Sequence, residues 1–295
     1  MNLKGIFNHK PELFKLFLLL IFLFLGLVAS SLIIHILDLE IFGKSNINDQ
    51  KTAQFITSVF LFLIPPTMLY YFTTGSVFRS MGFNRLINRQ MILLVFAIFI
   101  LIQPFITYTS QINADLLDYL DNYFPETINK MLFLEQEAEE ITLLFLSMNS
   151  IKDLVINLFL IAIIPAFGEE ILFRGVVQRK LSLLFNSPVL AIFITSFVFS
   201  LIHFQFFGFF PRFFLGLLLG YLFYYSNNLW IPVIAHFINN ALAVILMYPS
   251  IENQLDPRLN LDNTEVNIIY AIFSCVCCFL LLYLFKKVSL ILRER

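Results

Sequence analysis

Charge is scarce in this 295-residue chain. Asp, Glu, Lys and Arg supply 13% of it against 59% hydrophobic residues, and mean hydropathy is +0.83. No soluble domain of this size needs so much apolar surface, which excludes a soluble class. Net charge is −1, so the basic footprint of a nucleic-acid binder is missing and no nucleic-acid partner is expected. Cysteine is confined to Cys275, Cys277 and Cys278 in the last apolar run, where small polarisable packing explains them; they fix no redox compartment. Several hydrolase signatures are absent: a His-Glu-x-x-His zinc helix, a Gly-x-Ser-x-Gly elbow and a deep Asp pair. Internal repeats are absent as well, which argues against a proton-coupled transporter built from paired halves.

Apolar runs of about 20 residues recur instead, each long enough to cross a bilayer as a helix. Eight are expected, near 16–37, 54–73, 91–110, 152–173, 187–205, 209–226, 230–248 and 266–285. The fold class is therefore an all-α polytopic transmembrane bundle. Lys4, Lys10 and Lys15 precede or open the first run as in a signal peptide, but the run is long for that and reads as an uncleaved span. Loop charge sets the orientation. Arg79, Arg85 and Arg89, then Arg174, Arg179 and Lys180, then Lys286, Lys287, Arg293 and Arg295 belong in the cytoplasm, with both termini. The 111–150 segment carries Asp115, Asp118, Asp121, Glu126, Glu135, Glu137, Glu139 and Glu140 against Lys130 alone and belongs outside, as does the mildly acidic 249–265 connection. Leu116, Leu117 and Leu120, then Met131, Leu132 and Leu134, predict amphipathic helices on the outer surface. Three regions follow: N-terminal spans and this extracytoplasmic segment at 1–150, a membrane core at 151–248 that holds the candidate functional residues, and a final span and tail at 249–295.

Against this background Glu169 and Glu170 stand out, because a carboxylate at membrane depth is costly and marks function. Neighbours on a helix point about 100° apart, so the two have different tasks. Arg174 follows Glu170 in the favourable i,i+4 order and pairs with it. Glu169 is left as the candidate base. His203 and His236 lie deep in later runs, whereas His9 is in the N-terminal tail and His35 near a helix end. Asn240 shares a helix face with His236. A Glu and two His can activate water, with or without a metal. Gly216 and Gly220 form Gly-x-x-x-Gly, read as a close helix contact, with Arg212 and Phe213 just before it. One difficulty attends His203. Glu169 and His236 fall in the cytoplasmic halves of their spans, while 187–205 puts His203 about 20 Å along its helix. That helix must begin near residue 181 or tilt steeply for His203 to join them.

Glu169-Glu170-x-x-x-Arg174, Phe199-x-x-x-His203 and His236-x-x-x-Asn240, with Leu229-Trp230-Ile231-Pro232 leading into the last, resemble one family. It is the type II CAAX prenyl endopeptidases and their bacterial relatives, the CPBP intramembrane proteases, which include bacteriocin-processing and self-immunity proteins. The resemblance covers about residues 150–245. It implies cleavage of a membrane-embedded or lipid-modified peptide at an intramembrane site open to the cytosol. Glu169 would be the base, His203 and His236 would position water, Asn240 would donate to the oxyanion, and Glu170 and Arg174 would support the site. Zinc on Glu169, His203 and His236 is one version of that chemistry; a metal-free, Glu-dependent mechanism is the other. A scaffold or immunity-type protein binding peptides in the same cavity is the non-enzymatic alternative. The lean chain with short loops points to a bacterial cytoplasmic membrane.

Overall fold

The computed structural model describes residues 3–39, 47–249 and 266–294. Among these, the chain is an all-α bundle of eleven helices with no strand: α1 Glu12–Ile36, α2 Ile47–Thr73, α3 Val77–Met81, α4 Arg89–Leu101, α5 Gln103–Asp121, α6 Pro125–Leu146, α7 Ile151–Phe185, α8 Pro188–Leu201, α9 Phe209–Ser226, α10 Trp230–Leu246 and α11 Ile268–Glu294. Local signals set many ends. Ser150 caps α7, accepting from Asp153 N at 3.3 Å. Ser187 caps α8 in the same way, ahead of Pro188 at the first helical position. Asn186 and Asn227 stop α7 and α9 in the left-handed region.

Five helices (α1, α2, α7, α9 with its preceding turn, and α11) are each long and apolar enough to cross a membrane, and the pair α4–α5 makes six. The expected eight runs are all helical, but three differ in shape. The 91–110 run is broken after Leu101 by a 42° bend. Pro104 follows the break, and the Gln103 amide donates to the Phe99 carbonyl there at 2.9 Å. The 187–205 and 230–248 runs are the shorter helices α8 and α10, 14 and 17 residues. At about 1.5 Å per residue α8 spans roughly 21 Å, less than the hydrocarbon core. The 111–150 segment is helical as expected, in the end of α5 and in α6. Most of the 249–265 connection and the side chains of Arg293 and Arg295 lie outside the described residues.

Two apolar cores hold the bundle. One joins α1, α2, α7 and the start of α10 through Leu19, Leu69, Phe173, Leu229 and Val233. The other joins α4, α9, α10 and α11 through Ile98, Leu219, Ile231, Ala235, Cys278 and Phe285. Alternate faces of α10 therefore serve both cores, which fixes its rotation and aims His236 between them. Cys278 is a packing residue, its thiol 3.7 Å from the Ile98 carbonyl. Glycine permits the closest approaches. A Cβ at Gly26 would overlap the Phe60 carbonyl oxygen, and one at Gly220 would sit 2.8 Å from Ile192 Cγ2.

One end of the bundle gathers both termini and the basic loops. Gly5 N donates to Tyr71 O and Leu229 N to Gly82 O. Glu12 pairs with Lys15 and, across the bundle, with Lys180, both at 2.8 Å. Ser289 near the C-terminus donates to the Tyr225 carbonyl.

Candidate active site

Proline shapes the helix that carries the acids. Pro165 has no N–H to offer the Ile161 carbonyl, and α7 widens to a π turn at Leu158–Ile163. A second π turn follows at Ile171–Gln178, where the Gly175 carbonyl accepts the Tyr70 hydroxyl at 2.5 Å. Glu169 and Glu170 occupy the short regular stretch between these two turns. Pro65 and Pro66 follow a matching π turn in α2, Val59–Leu63, which abuts α7 at Gly168: a Cβ there would lie 2.8 Å from Phe62 Cβ. Glu169 is thus held beside widened backbone on both sides.

Glu170 and Arg174 are fully buried and bonded, Oε1 to Nη1, at 2.6 Å. Arg174 also donates to the Gly216 carbonyl at 3.1 Å, and its guanidinium carbon stands 4.8 Å from the centre of the Phe199 ring. Gln178, one turn on, donates to the Gly220 carbonyl at 3.0 Å. The expected close contact at Gly216 and Gly220 is present, and it does more than pack. Two polar side chains four apart on α7 reach two backbone carbonyls four apart on α9.

His236 joins the acids. Its Nδ1–H donates to the same Glu170 oxygen at 2.9 Å, because a carboxylate beside a guanidinium is an acceptor. That bond fixes the tautomer and leaves a lone pair on Nε2, which lies 4.0 Å from Glu169 Oε2. One water about 2.8 Å from each atom bridges such a gap. Glu169 keeps 13% side-chain exposure whereas Glu170 has none, so only the former opens toward solvent or ligand. Glu170 was expected to serve Arg174; its direct hold on His236 was not legible from spacing.

His203 lies across one aromatic ring. Its Nδ1–H donates to the Phe199 carbonyl at 2.8 Å, and the Phe199 ring centre is 5.2 Å from His203 and 6.0 Å from His236. The depth difficulty disappears for a reason the span limits hid. Helix α8 begins at Pro188 as expected and ends at Leu201, before His203. Helix α7, however, runs on to Phe185, so Glu170 lies roughly 22 Å above the turn joining the two helices. By residue count both side chains are about equally far from that turn.

Asn240 sits one turn beyond His236, and its amide donates to the Ile161 carbonyl at 3.1 Å, the carbonyl facing Pro165. Its oxygen accepts from Asn239 at 3.2 Å. One amide hydrogen is left for other use. The structure therefore brings Glu169, Glu170, Arg174 and His236 into one connected network, with His203 across Phe199 and Asn240 on the Ile161 carbonyl.

A zinc site needs about three protein ligands. Among the described residues no three His, Cys, Asp or Glu side chains stand together as a metal-holding group. As arranged, Glu169, His203 and His236 do not make that set.

A polytopic helical membrane protein with a buried Glu–Arg–His network and an open second Glu is a candidate intramembrane hydrolase. Residues 151–242, under a third of the chain, match the family model described as type II CAAX prenyl endopeptidase Rce1-like. That segment is similar to the CAAX protease family, and the likeness supports a membrane-embedded endopeptidase in general. Neither the curated proteins nor the solved structures contain a match.

Proposed function

We propose that the chain is an intramembrane endopeptidase in which Glu169 activates the hydrolytic water for cleavage of a membrane-anchored or prenylated peptide. The reading rests on one observation: His236 is locked by Glu170 so that its bare Nε2 faces Glu169 across a water-sized gap. A water there donates one hydrogen to His236 Nε2 and the other to Glu169. As its oxygen attacks the scissile carbonyl, Glu169 takes the proton; it then returns that proton to the departing amide nitrogen. The Glu170–Arg174 pair holds His236 in place and keeps its charge balanced without water. The spare amide hydrogen of Asn240 is the donor nearest in sequence register for the oxyanion, a contribution worth about 3 kcal/mol in comparable sites. His203 presents a second bare Nε2 beyond Phe199 and orders water or substrate on that side. No step uses a metal, because the donors do not converge on one. The basic end of the bundle is the cytoplasmic end by the positive-inside rule, in a bacterial inner membrane, with the site reached from that side.

The test is cleavage of a prenylated peptide by purified protein in lipid. Glu169→Gln and His236→Ala are each expected to lower turnover by about 100- to 10,000-fold, the range for loss of a general base, with unchanged melting for the isosteric Glu169→Gln. Full turnover in both variants ends the reading. Retained biological function in Glu169→Gln, with peptide binding intact, makes the chain a peptide-binding scaffold.

A further inference from the structure

A second arginine, half-buried, stands in the bundle without a carboxylate. Arg212 is in the first turn of α9, within the apolar span Phe206–Ser226. A guanidinium within an apolar span is costly unless paired. Among the described residues no carboxylate comes within ion-pair distance of Arg212. Glu135 of α6 is within electrostatic reach, but its Oε2 accepts the Phe207 N–H at 3.4 Å instead. What the guanidinium has is a fitted turn. Nη1 donates to Gln205 Oε1 at 3.0 Å and Nη2 donates to the Gln205 carbonyl. Gly208 gives it a flat seat: a Cβ there would lie 2.7 Å from Nη2 and 2.8 Å from Cζ and Nη1. Nε is buried and has no partner. Three of the five N–H groups are thus uncommitted, and Nε with a neighbouring Nη forms the edge that takes a carboxylate in bidentate fashion.

The turn that seats Arg212 also carries His203, and the two are within electrostatic reach. It is anchored from outside: Asn113 of α5 donates to the Phe206 carbonyl at 2.7 Å and accepts the Phe210 N–H at 3.0 Å. We propose that Arg212 is the binding residue for a peptide's C-terminal carboxylate, which seats the last residues of the chain across Phe199 toward His236 and Glu169. His203 and His236 are separated by no more than the two ring spacings through Phe199, and three extended residues cover about 10 Å, so the scale fits. The assignment rests on the endopeptidase reading for its substrate, and it explains why a CAAX-type substrate, which ends in a free carboxylate, would be chosen.

The experiment uses the full chain in lipid nanodiscs and one peptide with a prenylated Cys near its C-terminus, prepared with either a free carboxylate or a terminal amide. Binding is measured in the Glu169→Gln background and cleavage in the native background. With Arg212 present, the acid is expected to bind about tenfold more tightly than the amide, the scale of one charge-assisted hydrogen bond. Arg212→Gln should remove that preference by weakening the acid alone, raising its KM about tenfold with little change in kcat. Arg212→Lys should recover part of it. Equal weakening of acid and amide in Arg212→Gln would mean that the residue only holds the turn, and overturns the proposal, as does an unchanged preference or no binding of either peptide. Absence of cleavage together with an Arg212-dependent acid preference would overturn the endopeptidase reading and leave the carboxylate site standing.

Discussion

Arg174 and Arg212 are buried to different degrees on adjacent helices, and the protein treats them in opposite ways. Arg174 has its counter-charge one helical turn away, a backbone carbonyl from α9 and an aromatic face beneath it. It has as many uncommitted N–H groups as Arg212, but the side chain is fully buried, so none of them is open to a ligand. Arg212 has only the neutral oxygens of Gln205, a glycine seat and an uncommitted edge. The first arrangement completes a charge network so that His236 can be held in one tautomer. The second leaves N–H groups free on a half-buried side chain, where the proposed carboxylate would bind. In a medium that penalises charge, a buried counter-charge marks a structural role, and a cation without one is the better candidate for a ligand.

The largest expected effect would break the comparison if it failed. Arg174→Met leaves Glu170 buried without its cation and should cost about 3–5 kcal/mol of stability, whereas Arg212→Met removes a group with no ionic partner and should cost far less. Thermal melting in detergent, with a folded-fraction assay, checks both. Equal losses would mean that the two arginines are structural alike. The pair sharpens further in the double variant Glu170→Met with Arg174→Leu. Replacing both ions with apolar groups should recover most of the stability while cleavage stays lost, because His236 no longer has the carboxylate that fixes its ring.

A second contrast separates the two histidines. His236 sits in the charge network; His203 is tied to a backbone carbonyl on the far side of Phe199. Since these donors and Glu169 do not form a three-ligand set, zinc content of the purified protein should be well below one per chain, and a chelator should change cleavage by no more than about twofold. Stoichiometric zinc lost in His203→Ala would show that the three side chains converge on a metal in the working enzyme.

Much of the site could be read along the chain because its signals are local. Glu170 and Arg174 are one turn apart, His236 and Asn240 likewise, and Gly216 and Gly220 announce a close helix approach. The apolar runs located the helices for the same reason. What could not be read depends on contacts between distant segments. The basic residues Arg174, Arg179 and Lys180 ended the expected fourth span at 173, yet α7 continues to Phe185, with Arg174 buried against Glu170 and Lys180 paired with Glu12 near the start of the sequence. That extension is what brings His203 level with Glu170. Arg212 was passed over as a prefix to Gly216, since its partner Gln205 lies across an irregular turn with no period to betray it. Pro165 was visible in the sequence, but the carbonyl it leaves without a helical donor points to a helix 79 residues away.

That last link makes the smallest prediction and the one that separates two roles for Asn240. If its amide serves mainly the Ile161 carbonyl, Asn240→Ala should cost about 1 kcal/mol, the scale of a side-chain hydrogen bond inside a membrane bundle. In a Pro165→Ala background the restored N–H of residue 165 can bond that carbonyl itself, so the same Asn240→Ala change should cost less. The coupling in stability isolates the structural task. Cleavage rates across the same four proteins isolate the chemical one: a donor to the oxyanion is lost with Asn240 whichever residue occupies position 165. Turnover that recovers in the double variant would make Asn240 a brace for the proline-widened turn, and Glu169 would be positioned by it rather than assisted by it.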